Sequence, residues 1–301
     1  MRYSIVILLL LATVSYNGYS QLRRPAKEFN EPERLKALEY LQSMGTLQKS
    51  IYWPNVNPDR FIANIKSNVE NPYTFSTGRG TSFCSYGALS YTCLKNEPYR
   101  YVVCMLQLYK NGKANYRKVM LSPSDSVKVV AGTIRYQGDL DINPADQIWF
   151  LSLADHFKGY VNFFNRKYDR GDENTLWAAA NLAKFNRMLR KMCKYKINSR
   201  GSDFIRPWIG NKYEFIKQKM AEGEVYLYIN NAVFRKKNHN LTQLIVPTHF
   251  IVLTSLEKNE KGEIVVKYWD GSYKTQKETS LKAFRKIIYG ISWVKYQEVQ
   301  L

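Results

Sequence analysis

The sequence predicts an α+β fold, with helices through its first two thirds and an antiparallel β-sheet in its last third. Apolar residues recur at three- and four-residue spacing from Pro32 to Ala221. From Glu224 onward the texture changes to short β-rich runs separated by Asn, Lys and Gly. The chain has 301 residues, of which 45% are hydrophobic and 14% aromatic, enough to fill a core. Helices first and strands last favour two packed halves with a cleft between them.

The elements follow in order. A helical period begins near Pro32, with Leu35, Leu38 and Leu41 to one side and Gly45 after its end. A second helix follows Asn57-Pro58-Asp59, carries Phe61, Ile62, Ile65 and Val69, and ends at Pro72. The Gly/Ser/Thr-rich stretch from Thr74 to Ser82 reads as a loop feeding FCSYGALSYTCL, which has helical spacing and puts Cys84 at a helix N-terminus. Tyr101 to Tyr109 forms another helix, stopped by Asn111-Gly112, and more are expected at Pro144–Phe157, Asn174–Cys193 and Tyr213–Ala221. Strands are expected at Val225–Ile229, Phe250–Leu256, Ile264–Trp269 and Trp293–Val299, with a helix from Ser280 to Ile288 among them.

At the N-terminus, Arg2 precedes an apolar stretch from Ile5 to Val14, with small Gly18 and Ser20 before Gln21. That pattern predicts a signal peptide over residues 1–20, cut near Ser20-Gln21, and a secreted or periplasmic protein. The apolar run is about ten residues, half of what a membrane span needs, and no later segment is apolar enough to cross a bilayer. The net charge is +20, of which the signal removes only Arg2. Such charge suits anionic cell-envelope polymers. Lys and Arg are scattered, however, and no zinc-finger spacing or RNP-like motif is present, so no nucleic-acid partner is expected.

The four cysteines, Cys84, Cys93, Cys104 and Cys193, match no zinc-site spacing. If Cys84 and Cys93 share a helix they lie on opposite faces and roughly 13 Å apart along the axis, beyond disulfide reach. With Cys84 free, at most one bridge forms among the other three. No cofactor and no metal is expected. Asp169, Asp172 and Glu173 in YDRGDENT offer carboxylates for calcium but read better as helix caps. Tyr52 and Trp53 in IYWPNV read as core packing.

A helix N-terminus favours a thiolate through its dipole and unpaired N–H groups, which singles out Cys84 as a nucleophile. Of three histidines, His156 sits among apolar helix positions and His239 in a polar turn. His249 opens the run FIVLTSL after Pro247-Thr248, where its ring can face a cleft as a general base. Asp270 ends the strand IVVKYW about twenty residues later, so neighbouring antiparallel strands can bring it to His249 as the orienting group.

These three motifs, SFCSYGAL, PTHFIVL and KYWDGS, with a following helix carrying Phe284, resemble those of the papain-like cysteine peptidases. The closest similarity is to the bacterial peptidases that process double-glycine leaders. The resemblance covers residues 74–110 and 245–290. It implies a papain-like fold, with an N-terminal helical lobe carrying the catalytic helix and a C-terminal antiparallel sheet, and no cofactor. The corresponding division is an N-terminal helical arm over 21–73 and a catalytic domain over 74–301 with a helical insertion at about 111–223. It also implies cleavage of peptide or other amide bonds through a thioester, with Cys84 attacking, His249 carrying the proton and Asp270 holding His249.

The family usually places a Gln before the cysteine as oxyanion-hole donor, whereas this chain reads TGRGTS. The Cys84 backbone, Thr81 and Ser82 are the replacements within reach, and loss of one such donor costs on the order of 3 kcal/mol. Two other functions share these features. One is a transglutaminase-like transamidase or deamidase toxin with the same triad. The other is a non-catalytic basic protein binding cell-envelope polymers.

Overall fold

The computed structural model describes residues 29–78, 80–134, 142–160, 166–231, 246–271 and 273–295. The expected signal peptide, His239 and the end of the last expected strand lie outside them. Helices α1 (Glu31–Ser43), α2 (Pro58–Glu70), α3 (Cys84–Asn96) and α4 (Pro98–Asn111) come first. A small hairpin of β1 (Ala114–Tyr116) and β2 (Val119–Leu121) leads to α5 (Asp125–Val130), α6 (Pro144–Phe157) and α7 (Leu182–Met192). The remainder is β3 (Lys196–Gly201), α8 (Lys212–Glu222), β4 (Val225–Ile229), β5 (His249–Lys258), β6 (Ile264–Trp269), β7 (Lys274–Thr279), α9 (Leu281–Ile287) and β8 (Ile288–Lys295). The six strands from β3 onward form one sheet in the order β3-β8-β4-β5-β6-β7, and each neighbouring pair is antiparallel. The fold is mixed α+β with an antiparallel sheet.

Helix starts follow local chemistry. Asn57 caps α2 by accepting from the Arg60 N–H at 2.9 Å, with Pro58 at the first helical position, and Ser280 caps α9 through the Ala283 N–H at 3.2 Å. Helix α7 begins eight residues after the expected Asn174, because Asn181 supplies its cap and residues 175–181 stay irregular. In α1 the buried positions are Ala37 and Leu41, while Leu35 is exposed. The Leu35-Leu38-Leu41 spacing of three drifts off a stripe that winds at 3.6 residues per turn.

Two cores cover the two faces of the sheet. On one face Tyr226, Tyr228, Phe250, Val252 and Trp269 pack with α1–α7; on the other Val225, Leu227, Ile229 and Ile251 pack with α8 and α9. All five residues of β4, VYLYI, are therefore buried. Helices α1 and α2 belong to the first core and pack on one another and on α4, rather than standing apart as an arm. The stretch 111–223 is not purely helical, since it contributes β1, β2 and the edge strand β3. Strands β3 (KINSRG) and β7 (KTQKET) escape the sequence pattern because they are the charged edges of the sheet, a composition that resists further pairing.

Every residue of α3 from Ser85 to Lys95 is buried. Its C-terminal end is tied to the start of β4: Lys95 pairs with Glu224 at 3.5 Å, and Glu224 also accepts from Asn96 and from the Tyr226 hydroxyl. Both charged side chains are almost fully enclosed, so removing either one strands the other at a cost of about 3–5 kcal/mol.

A second buried polar group sits in α6. Asp146 has no solvent exposure, and Asn68 donates to its Oδ1 at 2.7 Å. Burial pushes its carboxyl up to about 7, against the pull of hydrogen bonds from Asn68, Asn64 and the Ser76 backbone. The folded state thus holds a proton that the unfolded chain releases near 3.8. The stability this gives is complete below the unfolded value and falls as pH rises toward about 7, by on the order of 1 kcal/mol per pH unit. Urea unfolding of the wild type and Asp146→Asn should show this slope in the wild type and its loss in the variant; equal slopes would contradict it.

Candidate active site

The loop before α3 is fixed on both flanks. The Thr77 N–H donates to the Gly271 carbonyl at 2.8 Å, and the Ser82 N–H to the Glu173 carbonyl at 2.8 Å. Thr81 turns the chain into the helix, its hydroxyl donating to the Thr77 carbonyl at 2.7 Å and accepting from the Phe83 N–H at 3.3 Å. Close approach here depends on absent side chains. A Cβ on Gly87, in the first turn of α3, would lie 2.5 Å from Thr77, and one on Gly271 would lie 2.9 Å from it. Gly271 also has φ +90, which only glycine adopts without strain.

Cys84 is the first residue of α3 and, unlike the residues after it, keeps partial exposure. His249 is the first residue of β5, where it pairs with Ile229 at the end of β4. The approach to it is braced: the Thr248 N–H donates to the Ile229 carbonyl at 2.8 Å and the Thr248 hydroxyl to Asn231 at 2.9 Å. Asp270 follows β6 in a tight turn, accepting from the Tyr273 N–H at 3.2 Å. Because β5 and β6 run antiparallel with Val252 opposite Trp269, the start of one and the end of the other lie at the same end of the sheet. Cys84, His249 and Asp270 all line one cavity of about 760 Å³.

The same cavity is lined by residues the sequence analysis did not single out. Tyr160 and Tyr228 bring their hydroxyls to 3.3 Å of one another, and Tyr228 stacks on Phe250 with ring centroids 4.1 Å apart. Leu176, Ala179 and Ala180, from the segment expected to be helical, add an apolar wall. Tyr228 was legible as the alternate position of VYLYI that shares a face with Phe250. Nothing in the sequence marks Tyr160.

Burial pushes the Cys84 thiol above its ordinary range, and the Asp270 carboxylate adds to the rise. The main-chain N–H groups of Phe250, Ser85 and Cys84 act on the sulfur in the opposite sense. The helix start lends its donors as expected, but they do not outweigh desolvation, and the thiol is not self-activated. Among the oxyanion-hole candidates, Thr81 is a correction: its single hydroxyl proton is committed to Thr77. The Ser82 N–H is likewise committed to Glu173, while Ser82 and Cys84 both line the cavity.

The remaining residues fall elsewhere. His156 is exposed on α6 and does not line the cavity. Cys93 and Cys104 are buried and Cys193 is half-buried; all four cysteines are free thiols, with Cys84 and Cys93 both on α3. Asp172 accepts from the Asp169 N–H and from Arg166, and Glu173 accepts from Tyr168 and the Gly171 N–H, so these acids lock their own turn. Among the described residues no group of three or more His, Cys, Asp or Glu is placed to hold a metal ion, and no helix is long and apolar enough to cross a membrane. Trp53 is buried in the core, donating to the Leu108 carbonyl at 2.7 Å.

No protein-family model, curated protein or solved structure matches this chain.

The contact of Thr77 with Gly271 has a measurable consequence. Gly271→Ala should cost more stability in urea unfolding than Gly45→Ala, a left-handed glycine with open space around it. The control loses about 1 kcal/mol for its backbone conformation, and Gly271→Ala should lose about twice that. Equal losses would mean that the loop and the turn do not meet.

Proposed function

We propose that this chain is a papain-like cysteine hydrolase that cleaves amide bonds, with Cys84 as nucleophile, His249 as base and Asp270 as the group that orients His249. The observation that carries the reading is the convergence of these three residues on one cavity, from a helix start, a strand start and a strand end. The papain-like fold belongs to the same proposal and is supported by a buried helix that opens on the cysteine beside an antiparallel sheet. So does export, which rests on the pattern of residues 1–20.

The chemistry follows from the neutral thiol. His249 takes the Cys84 proton as the sulfur attacks the substrate carbonyl carbon, and the Cys84 N–H and the Ser82 hydroxyl stabilise the oxyanion. The C–N bond breaks as His249 returns the proton to the leaving nitrogen, giving a thioester. Water, deprotonated by His249, then attacks the thioester and releases the acid and the thiol. A transamidase or deamidase would share these steps, and product mass separates them: hydrolysis of a main-chain amide adds water and divides the chain.

One proton shared by Cys84 and His249 makes the rate bell-shaped in pH, since a second proton or the loss of the last one stops turnover. Asp270 raises the thiol's pKa, so Asp270→Asn should move the alkaline limb downward. In kinetics on a peptide substrate, Cys84→Ala should abolish turnover and His249→Ala should lower it about 10²–10⁴-fold. Asp270→Asn should lose less than either, because an amide still orients the ring. Full activity in Cys84→Ala would overturn the proposal.

A further inference from the structure

Away from the cavity, the loop between β3 and α8 displays large apolar side chains to solvent. Trp208 is 99% exposed, and Phe204 and Ile205 are 75% exposed each. Isolated exposed apolar residues need no explanation, but three within five positions concentrate apolar surface on one loop. The loop is held in this form. The Phe204 and Ile205 N–H groups both donate to the Ser202 hydroxyl, and the Ser202 N–H donates to the Tyr289 carbonyl at 3.1 Å.

Behind the loop lies a second cavity of about 650 Å³, with Pro207, Trp208 and Leu281 on its apolar side. Its other lining residues include Arg206, Lys212, Lys282, Arg285 and Lys286, and among the described residues no acidic side chain lines it. Two of these cations are built into the fold. Arg206 donates to the Lys286 carbonyl and to the Tyr289 hydroxyl, each at 2.6 Å, and Lys212 donates to the Arg285 carbonyl at 2.8 Å. Burial, with Arg206 and Arg285 close by, holds the Lys212 ammonium down to about 8.

From this juxtaposition we infer that the β3–α8 loop and the basic cavity behind it dock the protein on an anionic lipid surface, Phe204, Ile205 and Trp208 entering the interfacial region and the cations meeting lipid phosphates. A Trp ring is suited to the water–hydrocarbon boundary, and basic side chains near it add attraction to anionic headgroups. The charge complementarity is consistent with the whole chain, whose net charge is +20. Gly201 at the end of β3 pairs with Gly290, which pairs with Tyr228 opposite Phe250, so the loop leaves the sheet from the end that carries His249. Docking would bring the cavity end of the sheet toward the lipid.

The test is co-sedimentation of the full chain with large vesicles of phosphatidylcholine alone or with about a third phosphatidylglycerol, near 0.1 M salt, where surface charge is screened beyond about 10 Å. Binding to the anionic vesicles only is expected. Trp208→Ala should weaken it about tenfold, the scale of one large aromatic side chain leaving water. Lys282→Glu with Lys286→Glu should weaken it further, whereas Lys66→Glu with Lys110→Glu, distant surface reversals of equal charge, should have little effect. No binding to anionic vesicles would overturn the inference. So would equal losses from the two charge reversals, which would mean diffuse attraction, or Trp208-dependent binding to soluble polyglutamate that excludes vesicles, which would mean an acidic polymer as partner. Hydrolysis by the Trp208→Ala variant in the absence of lipid should be unchanged, so this result stands or falls apart from the triad.

Discussion

The arrangement depends on the burial of α3. Eleven successive residues of this helix are enclosed, by α4, α6 and α7 on one side and by β5 on another, and its far end is anchored to Glu224. A helix held this completely has no freedom to slide or rotate, since a packed interior resists small displacements. The position of its first residue is then fixed by everything behind it. Cys84 reaches the cavity because it is where the burial stops. Anchoring Lys95 to the start of β4 also sets the helix along β4 and β5, which brings its N-terminus to the end of the sheet where His249 begins.

The same enclosure sets the electrostatics. A sulfur surrounded by protein is a poor place for charge, and the three main-chain N–H groups around Cys84 offset that cost only in part. The proposed chemistry needs a base for this reason, and it needs a neighbour that keeps the base oriented. The Thr77–Gly271 hydrogen bond matters here as well. It joins the loop before the nucleophile to the turn that carries Asp270, so two walls of the cavity move as one piece.

Much of this was legible in the sequence where local chemistry decides. Pro144–Phe157, Val225–Ile229 and Ile264–Trp269 appear with their expected bounds, because Asn-Pro starts and β-branched or aromatic runs are strong local signals. Cys84 at a helix start, His249 at a strand start and Asp270 after a strand end are also where their neighbours placed them. What escaped depends on tertiary context. The edge strands β3 and β7 look like loops because their partners, not their side chains, make them strands. Residues 175–181 look helical, yet they lie irregularly against the rest of the chain, with Leu176, Ala179 and Ala180 facing the cavity. The hydroxyl of Thr81 looked available until its acceptor was known, and the scattered cations gave no sign that five of them share one hollow beside Trp208.

The enclosure of α3 leaves Cys84, alone of the four cysteines, lining the cavity with His249. Brief treatment of the native full chain with iodoacetamide near neutral pH, followed by peptide mapping by mass spectrometry, reads it directly. Cys84 should be modified ahead of Cys93, Cys104 and Cys193, at a rate that falls in His249→Ala. Modification of Cys193 ahead of Cys84, or a Cys84 rate indifferent to His249, would contradict it.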